Sequence, residues 1–237
     1  MRDEFERQLA LLNEELTTMG GLIESAIANA VKALDGDEHS INKAYDYEKS
    51  IDNKEREIES LCLKLLLTQQ PVASDLRLIS AALKMITDME RIGDQAEDIA
   101  EIASTAKKML KKSKHIQRMA AATIDMVNKS VEAFIKKDLL VAEEVSHNDD
   151  VVDALFEEIV NDLVDIIKKD EGTSEVLDML MVAKYFERIG DHAVNIMDDA
   201  LKEKNQKIEF SKEGRDEMLT MYDKVMEIYE KAVEIFV

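Results

Sequence analysis

The sequence has almost nothing to break a helix: one proline and seven glycines in 237 residues. Nor can it build a disulfide framework, because Cys62 is its single cysteine, and that absence removes any sign of secretion. Set between Leu61 and Leu63 in an apolar helical stretch, the thiol reads as a small buried hydrophobe. After Met1 the run Arg-Asp-Glu-Phe-Glu-Arg has no apolar h-region and no small-residue cleavage site, so no signal peptide is expected. Nowhere do about 18 apolar residues run without charge, which excludes a transmembrane helix on length. The expected location is cytoplasmic, with membrane association only through partners. Basic residues are scarce beside acids, 31 against 51, for a net charge of -20. A phosphate backbone repels such a surface, so nucleic acid is excluded as the main partner, and cations or basic protein surfaces fit better. The chain also lacks a G-x-x-x-x-G-K-[ST] loop, a G-x-S-x-G elbow and an H-E-x-x-H pair.

What is there is helix-forming material. Apolar residues make up 46% and charged residues 35%, with Ala, Leu, Ile, Met, Glu and Lys filling most positions, so an all-α class follows. Breakers and caps predict seven helices. The first spans Arg2 to Leu34, stops at Asp35-Gly36-Asp37 and carries Gly20-Gly21 as a point where it could kink. The second runs from Glu38 to Thr68. Ser74-Asp75 caps a third that reaches Lys112, its basic end complementing the helix dipole. The fourth covers Lys114 to Lys136, the fifth Asp138 to Lys169 and the sixth Thr173 to Lys204. Ser211 caps a seventh that reaches Phe236.

The halves repeat. Glu90-Arg91-Ile92-Gly93-Asp94 returns 97 residues later as Glu187-Arg188-Ile189-Gly190-Asp191, and Ile51-Asp52 returns as Val152-Asp153 at a spacing of 101. The change from 101 to 97 predicts four residues lost from the second copy's loop between its second and third helices. A duplicated three-helix unit gives bundles at 1–112 and 113–204, with a C-terminal helix at 205–237 that packs on the bundles or on a partner.

At about 100° per residue, Glu90, Asp94, Glu97, Asp98 and Glu101 fall on one side of the third helix, opposite Met85, Met89, Ile92, Ala96 and Ile99. The second copy repeats the stripe as Glu187, Asp191, Asn195 and Asp198. Helix two carries Glu48, Asp52, Glu55 and Glu59; helix five carries Asp149, Asp153 and Glu157. A solvated face explains such stripes in part, yet like charges at i,i+4 destabilise a helix by about 0.2–0.5 kcal/mol a pair. Cations would relieve that repulsion. An all-oxygen shell suits hard ions, namely magnesium, manganese, calcium or ferric iron, with zinc as a further candidate. Gly93 and Gly190 interrupt strong helical sequence where alanine would be better by about 1 kcal/mol, so they are expected to permit close helix approach. Arg91 and Arg188 are expected to pair with carboxylates of a neighbouring helix.

The doubled E-R-I-G-D followed by A-x-(D/N)-I, together with (E/D)-x-x-x-D on helices two and five, resembles the PhoU family over nearly the whole chain. The resemblance implies two tandem three-helix bundles, no enzymatic activity, and a negative regulator of the phosphate starvation response that acts on transcription indirectly. It implies contact with the ATPase subunit of the phosphate ABC transporter and with a phosphate-responsive sensor histidine kinase, and a homodimer. Some members bind multinuclear iron or other metal clusters through E(D)-x-x-x-D. Carried onto this sequence, the ligands would be Glu48, Asp52, Glu90, Asp94 and Asp98 in the first bundle and Asp149, Asp153, Glu187 and Asp191 in the second. Asn195 stands where the first copy has Asp98, which implies a weaker second site. His192 lies beside Asp191 but about 100° round the helix.

Two other readings compete: a metal-free helical scaffold, and a ferritin-like dimetal carboxylate protein. The latter needs two E-x-x-H motifs facing the bundle interior. This sequence has one, Glu144-Val145-Ser146-His147.

Overall fold

The computed structural model describes residues 2–68, 73–105, 114–136, 139–168 and 173–205. Six helices account for them: α1 (Arg2–Leu34), α2 (Glu38–Thr68), α3 (Ala73–Thr105), α4 (Lys114–Lys136), α5 (Leu139–Lys168) and α6 (Thr173–Asn205). Among the described residues only Asp35, Gly36 and Asp37 lie outside a helix, and no strand occurs. The chain divides into two units, 1–204 and 205–237. The expected seventh helix and the basic end expected for the third lie outside the described residues, as does the side chain of Ser74; α3 begins at Ala73, so Ser74 stands in its first turn.

The α1–α2 corner shows why the sequence stops where it does. Gly36 takes a φ of 96°, a left-handed conformation that only glycine adopts cheaply, and its N–H donates to the Ala33 carbonyl at 2.8 Å while that of Asp37 donates to Lys32 at 3.0 Å. Asp37 then caps α2: its carboxylate accepts from the Ser40 hydroxyl at 2.7 Å and the His39 N–H at 3.1 Å. The Ser40 hydrogen bond, set against some burial, holds the exposed Asp37 carboxyl below its usual range. At Gly20-Gly21 α1 runs on as one continuous helix. A Cβ on Gly20 would sit 3.5 Å from Val131 of α4, so Gly20 marks the approach of two helices.

α1, α2 and α3 pack on one another, α4 packs on α5, and α1 also packs on α4. Ser130 ties α4 to α6, its Oγ 2.7 Å from the Ala193 carbonyl. One apolar core therefore runs through both bundles, from Leu12, Leu16 and Ile23 of α1 to Phe186 and Ile196 of α6. Burying these side chains is the main favourable term of folding, at about 25 cal/mol per Å² of apolar surface. Cys62 is fully buried in the same core, which pushes its thiol up to about 12 and leaves it inert.

The register change falls between α2 and α3 and between α5 and α6, where residues 69–72 and 169–172 lie outside the described residues. No helix among the described residues is long and apolar enough to cross a membrane.

Candidate functional site

Two grooves bring the acidic stripes together. In the first, a Cβ on Gly93 would stand 3.0 Å from Ile51 Cδ1 and 3.2 Å from its Cγ2, so α2 and α3 approach closely at the level of the acids. Their stripes consequently face each other across the groove. Burial, then Glu97, Asp52 and Asp94, push the Glu48 carboxyl above its usual range. Glu97 is raised by burial and by Asp94, Asp98 and Glu101. Glu90 is raised by burial and Asp94, against the lowering effect of Arg91, and Glu55 by burial, Glu59 and Asp52. Tyr45, at the end of the groove, is raised by burial and by Glu101 and Glu97.

The second groove lies between α5 and α6. Asp149 is raised by burial and by Asp153, Asp191, Asp150 and Glu187, and Asp191 by burial and Glu187 against Lys184. Close approach is looser here, because a Cβ on Gly190 would meet Asp149 Oδ1 at 3.5 Å and Met126 Cε at 3.6 Å, ordinary contact distances.

The pairings refine the sequence reading. Arg91 bridges Glu90 and Asp94 of its own helix, at 3.5 and 3.1 Å, and its charge also works against the rise of Glu55 on the neighbouring α2. Asp94, three positions on, shares its helix surface, while the adjacent Glu90 lies about 100° round and is met only through the length of the Arg91 side chain. Arg188 acts across the bundles, lowering Asp98. Asp98 itself stands at the edge of its stripe, hydrogen-bonded to Tyr185 of α6 and raised chiefly by burial. Asn195 occupies the matching place on α6: it donates to Asp88 at 3.2 Å, and His192 Nδ1 lies 2.8 Å from the same oxygen. With the Lys84–Asp199 pair at 2.8 Å, in which Asp199 is buried, these contacts form a polar seam between α3 and α6. The Asp-to-Asn departure thus belongs to the seam, where a second carboxylate would repel Asp88. Asn195→Asp is expected to cost about 1 kcal/mol in thermal unfolding, through a lost donor and added repulsion, and to leave divalent-cation binding unchanged by calorimetry.

Two groove members went unrecognised as sites. Glu55 and Glu97 lie on the stripes, but the i,i+4 motif spacing passes over them because each follows its partner by three residues. Their repeat counterparts are Phe156 and Val194. Lys184 fills part of the second groove, paired with Glu187 and 5.6 Å above the Phe156 ring. The first groove is therefore the more acidic. Glu144 and His147 are both exposed, and Glu144 pairs with Lys129 at 2.7 Å, so the lone E-x-x-H faces away from the core.

The donor set suits a hard cation: all oxygens and net negative. Among the described residues no three His, Cys, Asp or Glu side chains already converge as a ligand shell. Binding would therefore draw the carboxylates together. A raised carboxylate holds its proton more tightly folded than unfolded, so its contribution is greatest when protonated and is lost as pH rises through its raised value. Seven carboxylates, Glu48, Glu55, Glu90, Glu97, Asp98, Asp149 and Asp191, are shifted this way. In a cation-free buffer the melting temperature is expected to rise as pH falls from neutral toward about 5, just above the ordinary carboxylate range. A flat or opposite profile in calorimetry would contradict this electrostatic picture.

Comparison with known proteins agrees with the duplicated architecture. The PhoU domain family model matches twice, over residues 16–103 and 116–200. A phosphate-specific transport system accessory protein PhoU homolog from Clostridium acetobutylicum is 36% identical over 209 residues, covering 84% of this chain and 94% of that protein. Its counterpart from Pseudomonas aeruginosa is 32% identical over 198 residues, covering 81% and 82%. The crystal structure of PhoU from Pseudomonas aeruginosa superposes with a TM-score of 0.78 at 30% identity, over 84% of this chain and 98% of that one. The phosphate transport system regulatory protein PhoU from Streptococcus pneumoniae, at 21% identity and a TM-score of 0.79 over 85% and 97%, shares the fold.

Proposed function

We propose that this chain, which belongs to the PhoU family, is an accessory protein of a phosphate-specific transport system and represses the phosphate starvation response by protein contact. The observation that carries the reading is the family match to both halves, which together with its relatives spans most of the chain. Contact with the transporter's cytoplasmic ATPase subunit and with a sensor histidine kinase would transmit the state of phosphate supply. The described grooves offer carboxylates and no nucleophile paired with a base, which supports contact over catalysis.

Hard cations belong to the same proposal. Glu48, Asp52, Glu90 and Asp94, joined by Glu97, would hold them in the first groove, and Asp149, Asp153, Glu187 and Asp191 in the second. A bound cation would supply charge neutralisation, allowing α2 against α3, and α5 against α6, to hold one fixed surface. Binding of the purified chain to the purified ATPase subunit, followed by calorimetry with and without manganese, tests the contact. Saturable binding is expected; its absence under both conditions would count against a transporter-linked role.

A further inference from the structure

Two lines of contact join the bundles. Along the first, α1 packs on α4, where Gly20 and the buried Val131 come together. Along the second, α3 meets α6 through polar side chains that water reaches: Lys84 is 63% exposed, His192 20% and Asp88 15%, and Asn195 is exposed as well. This second line has a register. Asp88 accepts from Asn195, and ten residues further along α3 Asp98 accepts from Tyr185, ten residues back along α6, so the helices run antiparallel. Lys84 and Asp199 keep the same step, four residues to the other side. The same two positions of the repeat meet twice, because 97 residues separate Asp88 from Tyr185 and Asp98 from Asn195. In the first copy both are acceptors; in the second both donate. Two copies of the α3 pattern would set carboxylate against carboxylate, so the divergence makes α3 specific for α6.

Closing this line gains little. Each of its hydrogen bonds replaces one that water would make, and ion pairs open to solvent contribute little to stability. Gln95 adds a cost. It lies on the same face of α3, seven residues after Asp88 and three before Asp98, and is 4% exposed, yet its Oε1 has no hydrogen-bond partner among the described residues. Water would reach that oxygen once the helices part. We propose that the α3–α6 seam is a latch: the bundles open and reclose along it, turning on the α1–α4 contact, and the Asp88–Asn195 and Asp98–Tyr185 pairs set the closed position. Opening changes how the two acidic grooves, one in each bundle, stand to each other, and it breaks neither bundle. The inference concerns the chain's hold on its own halves and does not depend on the regulatory reading.

The test uses the full chain with spin labels on Leu63→Cys and Val164→Cys, exposed repeat counterparts on α2 and α5; Cys62 is buried and stays unlabelled. Pulsed electron paramagnetic resonance then reads the distance between the bundles. The labelled parent is expected to show one main distance, that of the closed latch. Asn195→Asp with Tyr185→Phe sets a carboxylate against Asp88 and takes the donor from Asp98. That variant should raise the population at other distances about tenfold or more, the worth of two hydrogen bonds, while leaving the circular dichroism in place. Asp88→Asn with Asn195→Asp exchanges acceptor and donor, so it should return to the parent distance. An unchanged distance distribution in the first variant would overturn the proposal, as would an exchange variant no more closed than Asn195→Asp alone. So would loss of helical signal in the first variant, since the seam would then hold up the fold itself and could not open on its own.

Discussion

Gly93→Val should lower the melting temperature by about 4–12 °C, and Gly190→Ala should raise it by about 1–3 °C. The two glycines hold the same place in the repeat, yet their surroundings differ. At position 93 the first added carbon already meets Ile51 Cδ1 at 3.0 Å and Cγ2 at 3.2 Å, and Ile51 is buried with its neighbours close-packed. Valine adds two more carbons and a stiff χ1, so α2 and α3 must separate or Ile51 must leave its rotamer, at a cost of about 2–3 kcal/mol. At position 190 the nearest atoms are 3.5 Å or more away. There the gain in helix propensity, up to about 1 kcal/mol, outweighs slight crowding of the Asp149 carboxylate. Calorimetry on both variants checks the pair. Equal destabilisation would mean that the grooves are built alike, contrary to the geometry.

Saturating manganese should raise the melting temperature by about 5–11 °C, because a cation present at a hundred times its dissociation constant stabilises the folded state by about 2.7 kcal/mol. The first groove should dominate the effect, having Glu55 and Glu97 where the second has Phe156 and Val194, and lacking the lysine that sits on Glu187. Glu48→Gln with Glu97→Gln removes two carboxylates that burial and their neighbours raise. That variant is expected to melt higher than the wild type without divalent cations, since repulsion is relieved, and to lose most of the manganese response. Asp153→Asn, in the second groove, should keep most of it. Sodium chloride at matched ionic strength separates ligation from screening. An equal rise with sodium, or an undiminished rise in the Gln variant, would rule out a cation site at these residues.

Much of the fold was legible because few residues compete with helix. α1, α2 and α4 end where the caps and breakers put them, and Gly36 with Asp37 shows the mechanism in detail. α6 runs one residue past its expected end, and α5, described over Leu139–Lys168, falls within its expected span, whose end residues lie outside the described residues. The grooves were legible in part. Period 3.6 placed the acids on stripes, but it could not show which edge of a stripe faces which neighbour. Asp98 and Glu97 are adjacent in sequence and about 100° apart, and tertiary packing turns Glu97 toward the first groove and Asp98 toward Tyr185. The same limit hid Asp88, whose carboxylate gathers His192 and Asn195 from more than a hundred residues away. A helix surface reveals its own periodicity; its partners are set by the other helices.

Repression by this chain is tested most directly by a reporter for phosphate-starvation genes, measured in abundant phosphate in the native host with the gene deleted and then restored. High reporter output in the deletion strain, returned to the low wild-type level by the restored chain, is the predicted result. Output that stays low in the deletion strain would contradict the regulatory role, whatever cations the grooves hold.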